Sequence, residues 1–412
     1  MRITRAHNAW RRPETETAVA LEVAAIIAEV REGGDDAVLS LTERFDKAEL
    51  GPGRLRVDPG ELEASVGVLE PAVLAGLRTA IANVRAVAKA QPAARAAVEL
   101  PEGHLVDVVE APVGRAGIYV PGGRAPYPST VVMGAATARA AGVEEIAMCA
   151  PPGPGGQANP VILAACVLCE VTEVYRMGGA QAIAALAYGT ESVEAVDVIA
   201  GPGNPYVQEA KRQVVGQVGI DGVAGPSELV VVASPGADPE LIALDLMAQA
   251  EHGADSPLWC LSPDGGLLDA VGAAIERLAP ERPSVQDAEL QLIETDDARV
   301  ALRLAEEIAP EHLELTGEEA EALADRVRRA GCLFVGAGAA TAFGDYVAGS
   351  NHVLPTGGAA RFQSALSPAT FRRRMARVSL PGEAAARLAP AGAALARAEG
   401  FPVHAESMER RA

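Results

Sequence analysis

Gly117-Ile118-Tyr119-Val120-Pro121-Gly122-Gly123 is a short β-branched run that stops at a Pro-Gly-Gly turn, and an Ala-rich helical stretch follows it through Ala140. The same order then repeats. Glu145-Ile146-Ala147-Met148 precedes a helical stretch holding Cys166. Glu173-Val174-Tyr175 leads through Gly178-Gly179 into a helix over 181–187. Val196-Asp197-Val198-Ile199-Ala200 leads through Gly201-Pro202-Gly203-Asn204 into a helix over 206–215. Parallel strands need a crossover between them, so strand, turn and helix taken four times in succession predict parallel βαβ units.

The alternation resumes beyond Pro226. Leu229-Val230-Val231-Val232, Leu258-Trp259-Cys260-Leu261, His312 to Leu315 and Leu333-Phe334-Val335 read as strands. Between and around them lie helices expected over 239–251, 267–278, 297–308 and 318–329. The fold class is therefore α/β, with two Rossmann-like lobes that meet near residue 225. No G-x-G-x-x-G follows any strand, so both are incomplete dinucleotide folds. The first 110 residues read as mainly helical, over 19–31 and 71–90, with Gly33-Gly34 and Asp35-Asp36 as a C-cap and N-cap pair. Beyond 366 the Arg- and Ala-rich chain reads as a helical tail.

At 412 residues the chain can bury more than one core, and 49% apolar residues with 3% aromatics suit closely packed helices on sheets. A net charge of −20 disfavours nucleic acid and anionic membrane surfaces as partners. No secretory leader and no uninterrupted apolar run of spanning length is legible, so a cytoplasmic protein is expected. Five scattered cysteines are no disulfide framework, and Cys166 and Cys169 continue an apolar run that reads as a buried helix.

Six histidines mark the candidate chemistry. His7 and His104 have no ligand-spaced carboxylate or cysteine and read as surface residues. Gln249 and His252 share one face at the end of a helix, where they could meet a metal, although a helix C-terminus attracts histidine anyway and Glu251 is the more usual zinc donor. Glu311-His312 begins a strand after Pro310. Neighbours on a strand point apart, so both reach one site only at an irregular junction, where imidazole could take a hydroxyl proton and carboxylate activate water. Asp345 and His352 flank Gly349 in a polar loop, which reads equally as a site or as a hydrogen-bonded turn. Gly178-Gly179 and Gly201-Pro202-Gly203 sit where helix N–H groups could meet phosphate, or are plain tight turns.

Taken together, these segments resemble the histidinol dehydrogenase family. The resemblance runs in order through Gly33-Gly34-Asp35-Asp36, Arg44-Phe45-Asp46, Tyr119 to Gly123, Gly178 to Ala184, Gly201 to Asn204, Ala224 to Glu228, Ala248 to His252, Ala309 to Leu315, Asn351 to Thr356, Glu399-Gly400 and His404-Ala405. It implies one zinc per subunit held by Gln249, His252, Asp345 and His404, which displaces Glu251. It implies Glu311 and His312 as the catalytic pair, and NAD contacts at Tyr119, Gln181 and Asn204. It implies substrate contacts at Ser227, Gln249, His252, His312, Asp345, Glu399 and His404, with His352 nearby. The implied reaction takes L-histidinol through bound histidinaldehyde to L-histidine with two NAD, in a homodimer whose tail reaches the partner's site.

The expected organisation is an N-terminal segment over 1–20, one lobe from 21–110 with 227–366, a second lobe over 111–226 and a tail over 367–412. A relative acting on another small alcohol, such as a sulfopropanediol, would keep the catalytic pair and change the substrate contacts. Ser227, Glu399 and His404 together favour histidinol.

Overall fold

The computed structural model describes residues 1–9, 19–122, 125–285 and 287–412. Gly123 of the opening turn and residues 10–18 of the N-terminal segment lie outside the described residues. In chain order the strands and helices begin with β1 Arg2–His7, α1 Ala20–Asp46, α2 Pro59–Ala64, α3 Pro71–Lys89, β2 Arg95–Glu99 and β3 Leu105–Pro112. The first repeat region then supplies β4 Arg115–Tyr119, α4 Pro128–Ala141, β5 Glu145–Ala150, α5 Pro160–Leu168, β6 Glu173–Arg176, α6 Gly179–Tyr188, β7 Val198–Ala200, α7 Pro205–Val214 and β8 Gly219–Ile220.

These strands form a parallel sheet in the order β6-β5-β4-β7-β8. Successive side chains leave a strand on opposite faces. Ile118 and Met148 accordingly enter one core with Val131, Ala135 and Ile162, while Tyr119, Ala147 and Cys149 enter another with Ile183 and Val207. Burial on both faces explains why β4 and β5 read as continuous apolar runs rather than alternating ones. Cys166 lies within α5 and Cys169 caps it, both buried and unpaired, as their apolar context implied.

The second region supplies β9 Leu229–Ala233, α8 Pro239–Ala250, β10 Pro257–Ser262, α9 Gly265–Leu278, β11 Glu289–Glu294, α10 Ala298–Ile308, β12 His312–Thr316, α11 Glu318–Glu321, β13 Cys332–Val335 and α12 Thr341–Tyr346. Its parallel sheet runs β1-β11-β10-β9-β12-β13. Leu229, Val231 and Cys260 face one core; Val230, Val232 and Trp259 face the other. The helix expected over 318–329 stops early. Main-chain N–H groups of Arg328 and Arg329 donate to the Glu306 carboxylate at 2.7 and 3.1 Å instead of to a helical carbonyl.

Both termini differ from the helical expectation. β1 is an edge strand pairing with β11 across six residues. The remaining strand, β14 Arg372–Ser379, joins β3 and β2 in an antiparallel sheet. Arg-Ala-Ala-Val-Glu and the Arg-rich β14 have helical composition, but cross-strand pairing overrides it. Arg374 meets Glu110 at 2.8 Å and Arg95 meets Asp107 at 3.0 Å. His104, expected on the surface, has a side chain only 12% exposed. The tail ends in a hairpin of α13 Gly382–Ala398 and α14 Pro402–Glu409 with its own small core of Ala393, Ala396 and Ala405.

The grouping of 21–110 with 227–366 is corrected by packing. The apolar stripe of α1, including Val23, Ile26 and Leu41, shares a core with Ile183 of α6, Val207 of α7 and Tyr119 and Cys149 of the β6-β5-β4-β7-β8 sheet. Leu77, Ile81 and Val84 of α3 pack with Val131 and Ile162 on its other face. The Gly33-Gly34 break is real: Gly34 adopts φ 54° and ψ −135°, which kinks α1 where a side chain would meet Glu191. No single helix among the described residues is long and apolar enough to cross a membrane.

Candidate active site

Residues 309–312 make the irregular junction that a shared Glu-His site requires. Ala309 closes α10 in the left-handed region, with φ 49°, and Pro310 blocks further helix. Glu311 therefore enters β12 off the regular pleat. Its Oε2 accepts from the Ser227 hydroxyl at 2.5 Å and from the Glu228 main-chain N–H at 2.9 Å. His312 lies beside it, with Nδ1 3.5 Å from the same carboxylate oxygen.

His312 has a defined tautomer. A carbonyl only accepts, so Nδ1–H donates to the Glu228 carbonyl at 3.1 Å and the Nε2 lone pair is left to act as a base. Nε2 faces Asp345 Oδ1 of α12 at 3.8 Å. Burial lowers the imidazole below its ordinary value, opposed by Asp345, which keeps it neutral and proton-accepting at neutral pH. Burial raises the Glu311 carboxyl to about 8, against the two hydrogen bonds that favour its anion. Asp345 is raised to about 6 by burial as well.

Gln249, on the last turn of α8 and 1% exposed, donates through Nε2 to Ser227 Oγ at 2.6 Å. That commits its NH2 and leaves its carbonyl oxygen as the donor atom for a cation. His252 follows α8 on an exposed turn, and it is near enough to His352 to depress that imidazole's protonation, as His312 also does. Among the described residues, no three His, Cys, Asp or Glu side chains converge as a metal-binding group. The expected ligands offer an amide oxygen at Gln249, a carboxylate raised by burial at Asp345 and an imidazole nitrogen at His252. By donor chemistry this N/O set suits a borderline divalent metal such as zinc. His404 is exposed on α14 with Phe401 as its ring neighbour at 5.2 Å, and Glu399 is exposed at the end of α13. The single chain does not bring these two to Glu311 and His312.

His352 is hydrogen-bonded at both ring nitrogens. Its Nδ1–H donates to the Asp345 carbonyl at 2.9 Å and its Nε2 accepts from Thr130 of α4 at 3.3 Å. Both nitrogens are used, and burial lowers its pKa to about 4. Asn351 beside it donates to the Met133 carbonyl and Thr137, each at 3.1 Å. This loop therefore ties Asp345 to the other parallel sheet.

Across that tie lies a cleft of about 740 Å³, at the C-terminal edge of β4, β5, β6 and β7. β4 sits between β5 and β7, the switch point where open α/β sheets bind ligands. Tyr119, Gln181 and Asn204 all line it. The Tyr119 hydroxyl accepts from the Gly179 N–H at 3.1 Å, and Asn204 caps α7 through Val207 N–H at 3.1 Å. Gln181 is 1% exposed, yet neither amide atom has a hydrogen-bond partner. Gly201 has φ +132°, and a Cβ there would lie 2.1 Å from the Tyr119 carbonyl oxygen. A closely approached backbone, two helix N-termini and an unpartnered buried amide suit a dinucleotide.

Sequence reasoning gave no role to Glu228, Thr130 or Asp46. Glu228 is fully buried; its carbonyl sets the His312 tautomer and its carboxylate accepts from Gly357 N–H at 3.0 Å. The only signal was its place beside Ser227 in Ala224-Gly225-Pro226-Ser227-Glu228.

A family model for histidinol dehydrogenase matches residues 10–412. A histidinol dehydrogenase of Cereibacter sphaeroides is 45% identical over 94% of this chain and 91% of its own length. One from Methylococcus capsulatus is 44% identical over 98% and 94%. The crystal structure of histidinol dehydrogenase from Elizabethkingia anophelis superposes with a TM-score of 0.93 at 32% identity, covering 100% of this chain and 98% of that one. Such a match takes in both parallel sheets, the Glu311-His312 junction and the C-terminal hairpin, and the chain belongs to the histidinol dehydrogenase family.

Proposed function

We propose that this chain oxidises L-histidinol through bound histidinaldehyde to L-histidine in two successive steps, as a zinc-dependent, cytoplasmic homodimer. The observation that carries the reading is the His312 imidazole, held by the Glu228 carbonyl with Nε2 available, directly beside the Glu311 carboxylate. An alcohol dehydrogenation needs a base for the hydroxyl proton, and an aldehyde oxidation needs one for water; this junction supplies both.

Tyr119, Gln181 and Asn204 would hold NAD, which when bound takes the hydride from the carbinol carbon in each oxidation. His312 accepts the hydroxyl proton at Nε2 in the first, and the Glu228 carbonyl stabilises the resulting imidazolium through Nδ1–H. Glu311 then takes a proton from the water that adds to the aldehyde carbon. The hydrate monoanion so formed is the alkoxide of the second oxidation, and hydride loss from it gives the carboxylic acid, whose proton then leaves to solvent. The Ser227 hydroxyl and Glu228 N–H hold the Glu311 carboxylate toward the reacting carbon. Gln249, His252, Asp345 and the partner subunit's His404 would hold zinc, which when bound anchors the imidazole and amine of histidinol. Glu399 of the same tail would complete the substrate contacts. Burial of Glu311 and His312 keeps bulk water and the aldehyde apart between steps.

The test is stoichiometric. With L-histidinol the enzyme forms two NADH for each histidine, and with a sulfopropanediol it forms none. No turnover of histidinol by metal-replete protein overturns the proposal.

A further inference from the structure

α8 rests on its sheet through Ile242, Ala243, Leu246 and Ala250, which share a core with Leu229 and Val231 of β9. Apolar burial is non-directional, so it leaves the rotation and axial setting of a helix loosely fixed. Gln249, at the end of α8, needs both fixed: its Nε2 reaches Ser227 Oγ at 2.6 Å, and Ser227 in turn donates to Glu311. One helical turn before Gln249, on the same face of α8, stands Asp245. Its carboxyl shares a hydrogen bond with that of Glu314, which lies two residues beyond His312 on the same face of β12. α8 therefore meets the catalytic strand region twice, through Gln249 in front and Asp245 behind.

Glu314 is 3% exposed and Asp245 is half-buried. No other described group donates to the buried Glu314 Oε2. Ionised carboxylates only accept, so the two acids can bond only by holding a proton between them. Burial raises both carboxyls, which retains that proton. Well-packed apolar side chains would fill the same space at no greater cost. What the acid pair supplies in their place is direction.

We propose that Asp245 and Glu314, sharing one proton, are positioning residues that fix the setting of α8 on β12 and so aim the Gln249 amide. Its Nε2 is held to Ser227, and its carbonyl oxygen is turned toward the metal, on the reading that Gln249 holds zinc. Metal affinity and the setting of Glu311 then both depend on a pair that touches neither metal nor substrate.

Four variants of the full chain test this. Asp245→Asn and Glu314→Gln each put a permanent N–H donor in place of the shared proton and keep the cross-link; Asp245→Ala and Glu314→Leu remove it. Zinc titrated into metal-free protein against a chromophoric chelator should bind the amide variants within about threefold of wild type, and the apolar variants about tenfold or more weakly. At saturating zinc, kcat should fall about tenfold or more in the apolar variants and hold in the amide ones. A role in stability alone would lower Tm in the apolar variants and move neither readout. Near-UV circular dichroism identifies folded variants, and Asp245→Ala, at a half-buried helix position, decides the matter if Glu314→Leu does not fold. Wild-type zinc affinity and kcat in folded Asp245→Ala overturn the proposal, as does equal loss in the amide and apolar variants. If wild type itself binds no zinc, the metal reading of Gln249 fails, and the contrast in kcat between amide and apolar variants alone sustains or overturns the pair.

Discussion

Replacing Glu311 by Gln should separate the two oxidations. Gln keeps the shape of the side chain and an oxygen that can accept from the Ser227 hydroxyl and the Glu228 N–H, now at 2.5 and 2.9 Å from Oε2. It removes the carboxylate assigned to water, and loss of a general base costs about 10²–10⁴-fold in the step it serves. His312 keeps its Glu228 anchor at 3.1 Å, so the first oxidation should fall far less. The pH profile carries the second signature. A carboxyl raised to about 8 is protonated below that pH and gains its basic form as pH rises. It is only about one-tenth ionised at pH 7, so wild-type aldehyde oxidation should climb about tenfold between pH 7 and the plateau above 8. The variant should be flat across that window. In a rapid-quench experiment with histidinol, Glu311→Gln should release close to one NADH per site and then stall. Histidinaldehyde supplied directly should be oxidised slowly. Two NADH per histidinol at the wild-type rate would refute the assignment, as would equal loss of both steps in a variant with unchanged near-UV circular dichroism.

Removal of the metal by a chelator should abolish turnover, and added zinc should restore it; activity that survives exhaustive chelation and metal analysis rules out the Gln249, His252, Asp345 set. Mixing inactive His404→Ala and His312→Ala chains should regenerate activity if His404 acts across subunits, and silent hybrids shown to have formed would place it in its own subunit's site. Gly201→Ala forces a Cβ against the Tyr119 carbonyl at a φ of +132°, so it should cost about 1–3 kcal/mol in urea unfolding and weaken NADH binding; unchanged values on both measures would contradict the close approach. On β12, burial raises Glu314 to about 8, and the neighbouring Asp245 adds to the shift. A raised carboxyl favours the fold at low pH and that contribution is lost as pH rises from about 4.5 to 8, so the Tm of Glu314→Gln should gain on wild type steadily across that range, and parallel curves would refute the buried pair.

Legibility of the fold tracked how far local pattern and tertiary context agreed. β4 to α7 were readable because strands buried on both faces must be apolar throughout and end in Gly turns, and no other element has that signature. β2 and β14 were not, because Arg-Ala-Ala-Val-Glu and Arg-Arg-Arg-Met-Ala-Arg owe their extended form to pairing with β3, with Asp107 and Glu110 drawing in the arginines. The site shows the same division. Glu311 and His312 were legible as a pair with a stated condition, an irregular backbone, and Ala309 at φ 49° meets it. The tautomer of His312 was not legible, since it depends on a main-chain carbonyl 84 positions away in sequence. The sequence placed His352 near the substrate by resemblance alone; that both its nitrogens brace Asp345 against α4 was not legible, since the partners lie on other elements.

Both large sheets come from the same strand-turn-helix repeat, yet their candidate sites lie at opposite edges. The cleft with Tyr119, Gln181 and Asn204 sits at strand C-termini, where α6 and α7 begin and their positive dipole ends face it. That edge suits the phosphates of a dinucleotide. The Glu311-His312 junction sits at the start of β12, beside Ser227 and Glu228 just before β9, where α8 ends and presents Gln249. A helix C-terminus is the negative pole, and that edge suits a metal cation and the cationic amine of a substrate. The loop from Asp345 to Thr356 holds the two edges in register: His352 reaches Thr130, Asn351 reaches Thr137, and the Gly225 N–H donates to Thr356. On the proposed reading, opposite polarity at these edges would let one repeated topology hold an anionic hydride acceptor against a cationic hydride donor.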